Sequence, residues 1–133
     1  MKLFITYCSK EKNCFFKMTC QKVSPDCLYT SDRIRNFMRE CKEKQVNWAI
    51  FSDRYGVWFP NVKHKWYDKS PDDVTIKEFK CLLRDFDSKL EAYDEIWFYH
   101  KCTEPLHPLY ECLLRESKLS SKIKKFTDFK KIG

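Results

Sequence analysis

With 133 residues, 43% of them apolar and 34% charged, the chain is sized for one domain with its own core and has neither a disordered nor a membrane-type composition. Its two glycines, Gly56 and Gly133, exclude the Walker loop, the dinucleotide fingerprint and the nucleophile elbow, each of which needs glycine where no side chain fits. The net charge of +7 is uneven: Lys118, Lys122, Lys124, Lys125, Lys130 and Lys131 against Asp128 alone leave +5 on residues 118–133.

Taken in chain order, Lys2–Tyr7 reads as a buried strand, its Leu-Phe-Ile run being too short for a helix. Residues 32–45 carry Ile34, Phe37, Met38 and Cys41 at helical spacing behind a capping Ser31. Val46–Ser52 is a second strand. A loop of about twenty residues follows, broken by Gly56, Pro60 and Pro71. Thr75–Tyr93 is the clearest helix, with Ile76, Phe79, Leu82, Leu83, Phe86, Leu90 and Tyr93 as its stripe. Glu95–Tyr99 is a third strand, and Pro105–Glu116 a helix with Leu106, Leu109, Cys112 and Leu113 inward. In the tail, Ile123, Phe126 and Phe129 stand three apart, which fits either a last strand or a short helix.

Strands alternating with helices imply an α/β fold, a three-layer α/β/α sandwich around a small, mostly parallel sheet. The expected organisation is one α/β domain over 1–117 and a basic C-terminal segment over 118–133. That segment either holds phosphates through counterion release or is a solvated terminus.

Eight cysteines would mean disulfides in a secreted chain. The start Met-Lys-Leu-Phe-Ile-Thr-Tyr-Cys, however, is too short an apolar stretch for a signal peptide. No run approaches the ~20 residues of a membrane span. A cytoplasmic, reduced chain with no membrane role is the expectation. Cys8, Cys14, Cys20 and Cys27 lack the close pairing of zinc ligands, and no His-x-x-x-His spacing occurs. No metal and no cofactor are expected.

In parallel sheets ligands bind beyond the carboxyl ends of the strands. There the sequence places Cys8, Ser9 and Lys12 after the first strand. After the second it places Ser52, Asp53, Arg54, Tyr55 and Gly56, with Gly56 expected at positive φ. His100, Lys101 and Cys102 follow the third. Cys8 and Lys12 are candidates for nucleophile or proton carrier, and Asp68 for acid/base work. Ser9, Tyr29, Ser31, Ser52, Arg54, Tyr55, Gly56 and Tyr67 are candidates for binding substrate. Lys12, Tyr29, Ser52 and Arg54 are expected within about one ligand's width, catching an anion with help from backbone N–H groups after Ser52. The bases and aromatics of 63–68 either meet a nucleic acid or fold back onto the core.

The segments Cys8-Ser9-x-x-Lys12, Leu28-Tyr29-Thr30-Ser31, Trp48-x-Ile50-x-Ser52-x-x-Tyr55-Gly56, Pro60 and Tyr67-Asp68 resemble an uncharacterised family of small bacterial, archaeal and phage proteins, over about residues 3–70. That family is distantly similar to the peroxide-stress protein YaaA, which is associated with DNA binding. It is also distantly similar to the core domain of archaeosine synthase, which acts on a 7-deazaguanine base in tRNA. Asp53-Arg54 stand where the family has Ala-Lys, and residues 13–27 look like an insertion. The resemblance implies a nucleic-acid or nucleobase ligand and possible base modification; the alternative is a non-catalytic nucleic-acid-binding or accessory protein of a phage or mobile element.

Overall fold

The computed structural model describes residues 1–133. Five strands form one sheet: β1 (Lys2–Tyr7), β2 (Asn47–Ser52), β3 (Gly56–Trp58), β4 (Glu95–Tyr99) and β5 (Ile123–Phe126), in the order β3-β2-β1-β4-β5. All neighbours are parallel except β2 and β3, which form an antiparallel hairpin. The helices are α1 (Phe15–Thr19), α2 (Pro25–Leu28), α3 (Asp32–Glu43), α4 (Ile76–Leu90) and α5 (Pro108–Glu116). No helix is long and apolar enough to cross a membrane.

Period-two alternation in the strands builds two cores. Phe4, Trp48 and Ile50 face α3, meeting Ile34, Phe37, Met38 and Cys41. Leu3, Ile5, Ala49, Phe51, Ile96 and Phe98 face the opposite side, meeting Leu82, Phe86 and Leu90 of α4 and Tyr110, Leu113 and Leu114 of α5. The layers are therefore α/β/α. After β1 the chain steps to β2 on one side, and after β3 and α4 it returns to β4 on the other. The switch in strand order lies at the carboxyl ends of β1 and β4.

Several sequence expectations are corrected. The twenty-residue loop contains β3 and a 3₁₀ turn at Pro71–Asp73. Three residues are too few to show a pattern, and the hairpin depends on Gly56 at φ +76. A Cβ there would lie 2.2 Å from Asp85 Oδ2, and that carboxylate accepts the Val57 N–H at 2.8 Å. Ile76 is exposed, because Thr75 caps α4 and leaves the first residue outside the packed stripe. On α5 the inward residues are Tyr110, Leu113 and Leu114; Leu109 and Cys112 are only half-buried, and Leu106 precedes the helix. The basic segment is no appendage. Its residues 123–126 are the edge strand β5, and Phe126 and Ile132 are core. Three of its lysines are engaged: Lys122 donates to the carbonyls of Glu91 and Tyr93, Lys124 pairs with Glu95, and Lys125 pairs with Glu111.

Candidate functional site

The carboxyl edge of the sheet carries a buried polar cluster. Lys12, Ser31, Ser52 and Asp53 are all buried, as are Cys8, Tyr29, Tyr67 and Tyr110. Backbone pairing sets Lys12 beside Tyr29: Asn13 N–H donates to Leu28 O at 2.8 Å, and Thr30 N–H to Glu11 O at 3.0 Å. The Lys12 ammonium lies 4.3 Å from the centre of the Tyr67 ring, and the Tyr67 and Tyr29 hydroxyls share a hydrogen bond of 2.5 Å. No carboxylate lies within ion-pair distance of Lys12, and its ammonium has no hydrogen-bond acceptor in the chain. Burial pulls the Lys12 amine below its usual value, opposed by the nearby Cys8, Asp68 and Asp53.

Beside it, Cys8, Asp53 and Tyr110 form a second group. Tyr110 donates to Asp53 Oδ1 at 2.7 Å. The Asp53 N–H donates to Cys8 Sγ at 3.4 Å, and Cys8 Sγ lies 3.8 Å from the Tyr110 hydroxyl. Burial first, then the Asp53 charge, pushes the Cys8 thiol up to about 12. Cys8 is thus protonated at neutral pH, a hydrogen-bonding group rather than a thiolate nucleophile. Burial also raises the Asp53 carboxyl, against the hydrogen bond from Tyr110. Tyr29, Tyr67 and Tyr110 are raised by the same desolvation and stay neutral donors.

Two openings reach this cluster at Cys8. One, of ≈ 210 Å³, is walled by Cys8, Ser9, Asp53 and Tyr110 on the sheet side and by Lys69, Ser70, Glu104 and His107 above. His107 bonds Asp72 at 2.8 Å, tying the loop before α4 to the start of α5. The other, of ≈ 380 Å³, lies at the strand-order switch and is lined by Tyr7, Cys8, Ser9, Ser31, Arg33 and Lys101, with Glu11, Asp32 and Glu104 at its borders. The Arg33 guanidinium donates to Thr6 Oγ1 at 2.9 Å, Tyr7 O at 3.0 Å and Cys8 O at 3.1 Å, and lies 3.7 Å over the Tyr7 ring.

Of the expected four, the structure brings Lys12, Tyr29 and Ser52 together but not Arg54. Arg54 is exposed and lines another cleft with Lys77, Glu78 and Cys81 on the α4 side, which touches the cluster only at Asp53. The N–H groups expected to hold an anion there are occupied, since Ser52 Oγ accepts those of Arg54 at 3.1 Å and Tyr55 at 3.0 Å. Asp68 is exposed, and the carboxyl inside the cluster is Asp53. Tyr55 stacks on His64 at 3.9 Å and donates to Lys65 O. Gly56 shapes the hairpin, and Ser31 caps α3 by accepting from Ile34 N–H at 3.4 Å. Ser9 lines both openings. Cys14, Cys20 and Cys27 are exposed while Cys8 is buried. Trp58 and Tyr67 fold back into the core, and Trp66 packs partly against it.

Tyr110, Arg33 and Tyr7 were not among the expected site residues, and Asp53 was expected at the strand end but without a role. Asp53 carried a signal, as an acid directly after a buried strand. So did Tyr110, which falls on one helical stripe with Leu106, Leu113 and Ser117. No family model matches the chain, and no curated protein or solved structure matches it.

Proposed function

We propose that the protein acts on a nucleobase-containing ligand, a nucleotide or a nucleotide within nucleic acid, at the carboxyl edge of the sheet. The observation that carries this reading is Lys12, the one buried lysine, whose ammonium has no partner of its own. Such a group is expensive to bury, and an incoming polar group supplies the missing partner. Cys8, Asp53 and Tyr110 offer a donor and acceptor set of the kind that reads the edge of a base. Arg33, neutralised by no ion pair, places a second cation at the strand-order switch. The resemblance of the Cys-Ser-x-x-Lys and Ser-x-x-Tyr-Gly segments to a family near YaaA and archaeosine synthase favours the same class of ligand. Nucleic-acid binding through the basic segment alone is the lesser reading, because Lys122, Lys124 and Lys125 already have partners.

Isothermal titration with nucleoside monophosphates and a short single-stranded oligonucleotide tests the reading. Binding is expected, weakened by about tenfold or more in Lys12→Met, as for loss of a charge-assisted contact. Absence of binding by any of these probes, or equal affinity in the variant, overturns it.

A further inference from the structure

The environment of Lys12 has a chemical as well as an electrostatic consequence. Lysines that form covalent adducts with carbonyl compounds are held out of water and free of carboxylate partners, so that the neutral amine is within reach. Lys12 meets both conditions: it is 8% exposed, its ammonium lies 4.3 Å from the centre of the Tyr67 ring, and no carboxylate forms an ion pair with it. Its backbone is fixed by pairing on both sides of Tyr29, so the amine is positioned rather than swinging on a free loop. Within the same cluster sits Asp53, whose Oδ1 accepts from Tyr110 at 2.7 Å and whose carboxyl the Cys8 thiol also faces.

We propose that Lys12 forms an imine with an aldehyde or ketone group of the ligand, with the Asp53 carboxyl supplying and receiving the protons. The inference rests on the reading of the site as a ligand-binding one and names the reacting group of that ligand. The neutral Nζ attacks the carbonyl carbon, forming the C–N bond as the C=O π pair moves to oxygen. The oxygen gains one proton and nitrogen loses one, giving a carbinolamine. A proton from Asp53 then converts the hydroxyl into water, which leaves as the nitrogen lone pair forms the C=N bond. Loss of the last N–H proton returns the carboxyl to its starting form. One carbonyl compound and one amine give one imine and one water, with no oxidant or reductant consumed. Burial disfavours the charged form of both groups, lowering the amine and raising the carboxyl, which is the direction that favours attack by nitrogen and proton donation by the acid.

Reductive trapping tests this on the intact protein. Wild-type protein is incubated at neutral pH with propanal and sodium cyanoborohydride, and separately with an oligonucleotide carrying an abasic site, which presents an aldehyde. Peptide mass mapping reads which lysines become secondary amines. Lys12 is expected to be labelled first, faster than the exposed Lys17 or Lys63 by roughly tenfold, and Asp53→Asn is expected to slow that labelling while leaving theirs unchanged. Labelling of Lys12 no faster than of Lys17 and Lys63, with either probe, overturns the imine. Nucleotide binding measured by calorimetry without reductant is a separate readout. Binding with Lys12 unlabelled removes the imine alone, whereas labelling without nucleotide binding keeps the imine and removes the nucleobase reading.

Discussion

At Lys12 and Asp53 the chain holds two ionisable groups where folding alone would place neutral ones. Both are buried, and they do not form an ion pair with each other. Their removal is therefore expected to stabilise the fold. Lys12→Met keeps the aliphatic stem against Tyr67 and drops the buried ammonium, so thermal unfolding is expected to shift upward, on the order of 1 kcal/mol. Asp53→Asn keeps an acceptor for Tyr110. The sign of its pH dependence follows from the direction of the shift. Burial raises the folded carboxyl above its ordinary 3.8, so its ionisation opposes folding. Wild-type stability falls as pH rises from that value through the raised folded one, and the Asn variant escapes the loss. Melting curves of the two proteins should thus coincide in acid and separate toward neutrality, with the variant higher. Cys8, pushed up to about 12 and buried, is expected to resist iodoacetamide at pH 8, while the exposed Cys14, Cys20, Cys27, Cys81 and Cys102 are alkylated within the same native sample, as read by mass spectrometry.

Among the elements, those with a strong period were legible and those built from a single residue's geometry were not. β1 and β4 match their expected bounds, and β2, α3 and α4 end within a few residues of theirs. Each has an uninterrupted apolar run or stripe that only one periodicity explains. β3 escaped because its pairing is set by a turn and by the fit of Gly56 against Asp85, and neither is a matter of local composition. The same limit applied at the site. The expectation that Lys12, Tyr29, Ser52 and Arg54 meet rests on strand ends lying on one edge. Which way Arg54 leaves the turn after Ser52 depends on a hydroxyl accepting two N–H groups, and Tyr110 comes from an element 57 residues away from Asp53. Gly56→Ala is the sharpest test of β3. The new Cβ enters a left-handed backbone and the space of Asp85, and a loss of about 1–3 kcal/mol is expected in chemical denaturation. An unchanged midpoint would mean the hairpin tolerates a different turn.

For the molecule as a whole, the basic segment is where charge and structure part company. Its +5 invites a picture of a mobile cationic arm, yet Phe126 sits among Phe4, Trp97 and Tyr99, and Tyr99 stacks on Phe129 at 4.6 Å. Deleting residues 118–133 is expected to remove an edge strand and expose β4, giving an unfolded or aggregating product by circular dichroism and gel filtration. A truncated protein that melts as the full chain does would restore the picture of an arm.

The strand order also dictates the sequence of events by which the sheet is assembled. β1 is the central strand, yet its partners β2 and β4 begin at residues 47 and 95, so each pairing closes a long loop before any contact rewards it. Only the β2–β3 hairpin is local. The expected order is the hairpin and helices early and the β1–β4 pairing late, with folding in the slower part of the range for small α/β domains. The strand-order switch that shapes the larger opening lies at that late seam. The region available to a ligand is then also the last to be consolidated, and an occupant bridging β1 and β4 would act as a clasp on the final step of folding.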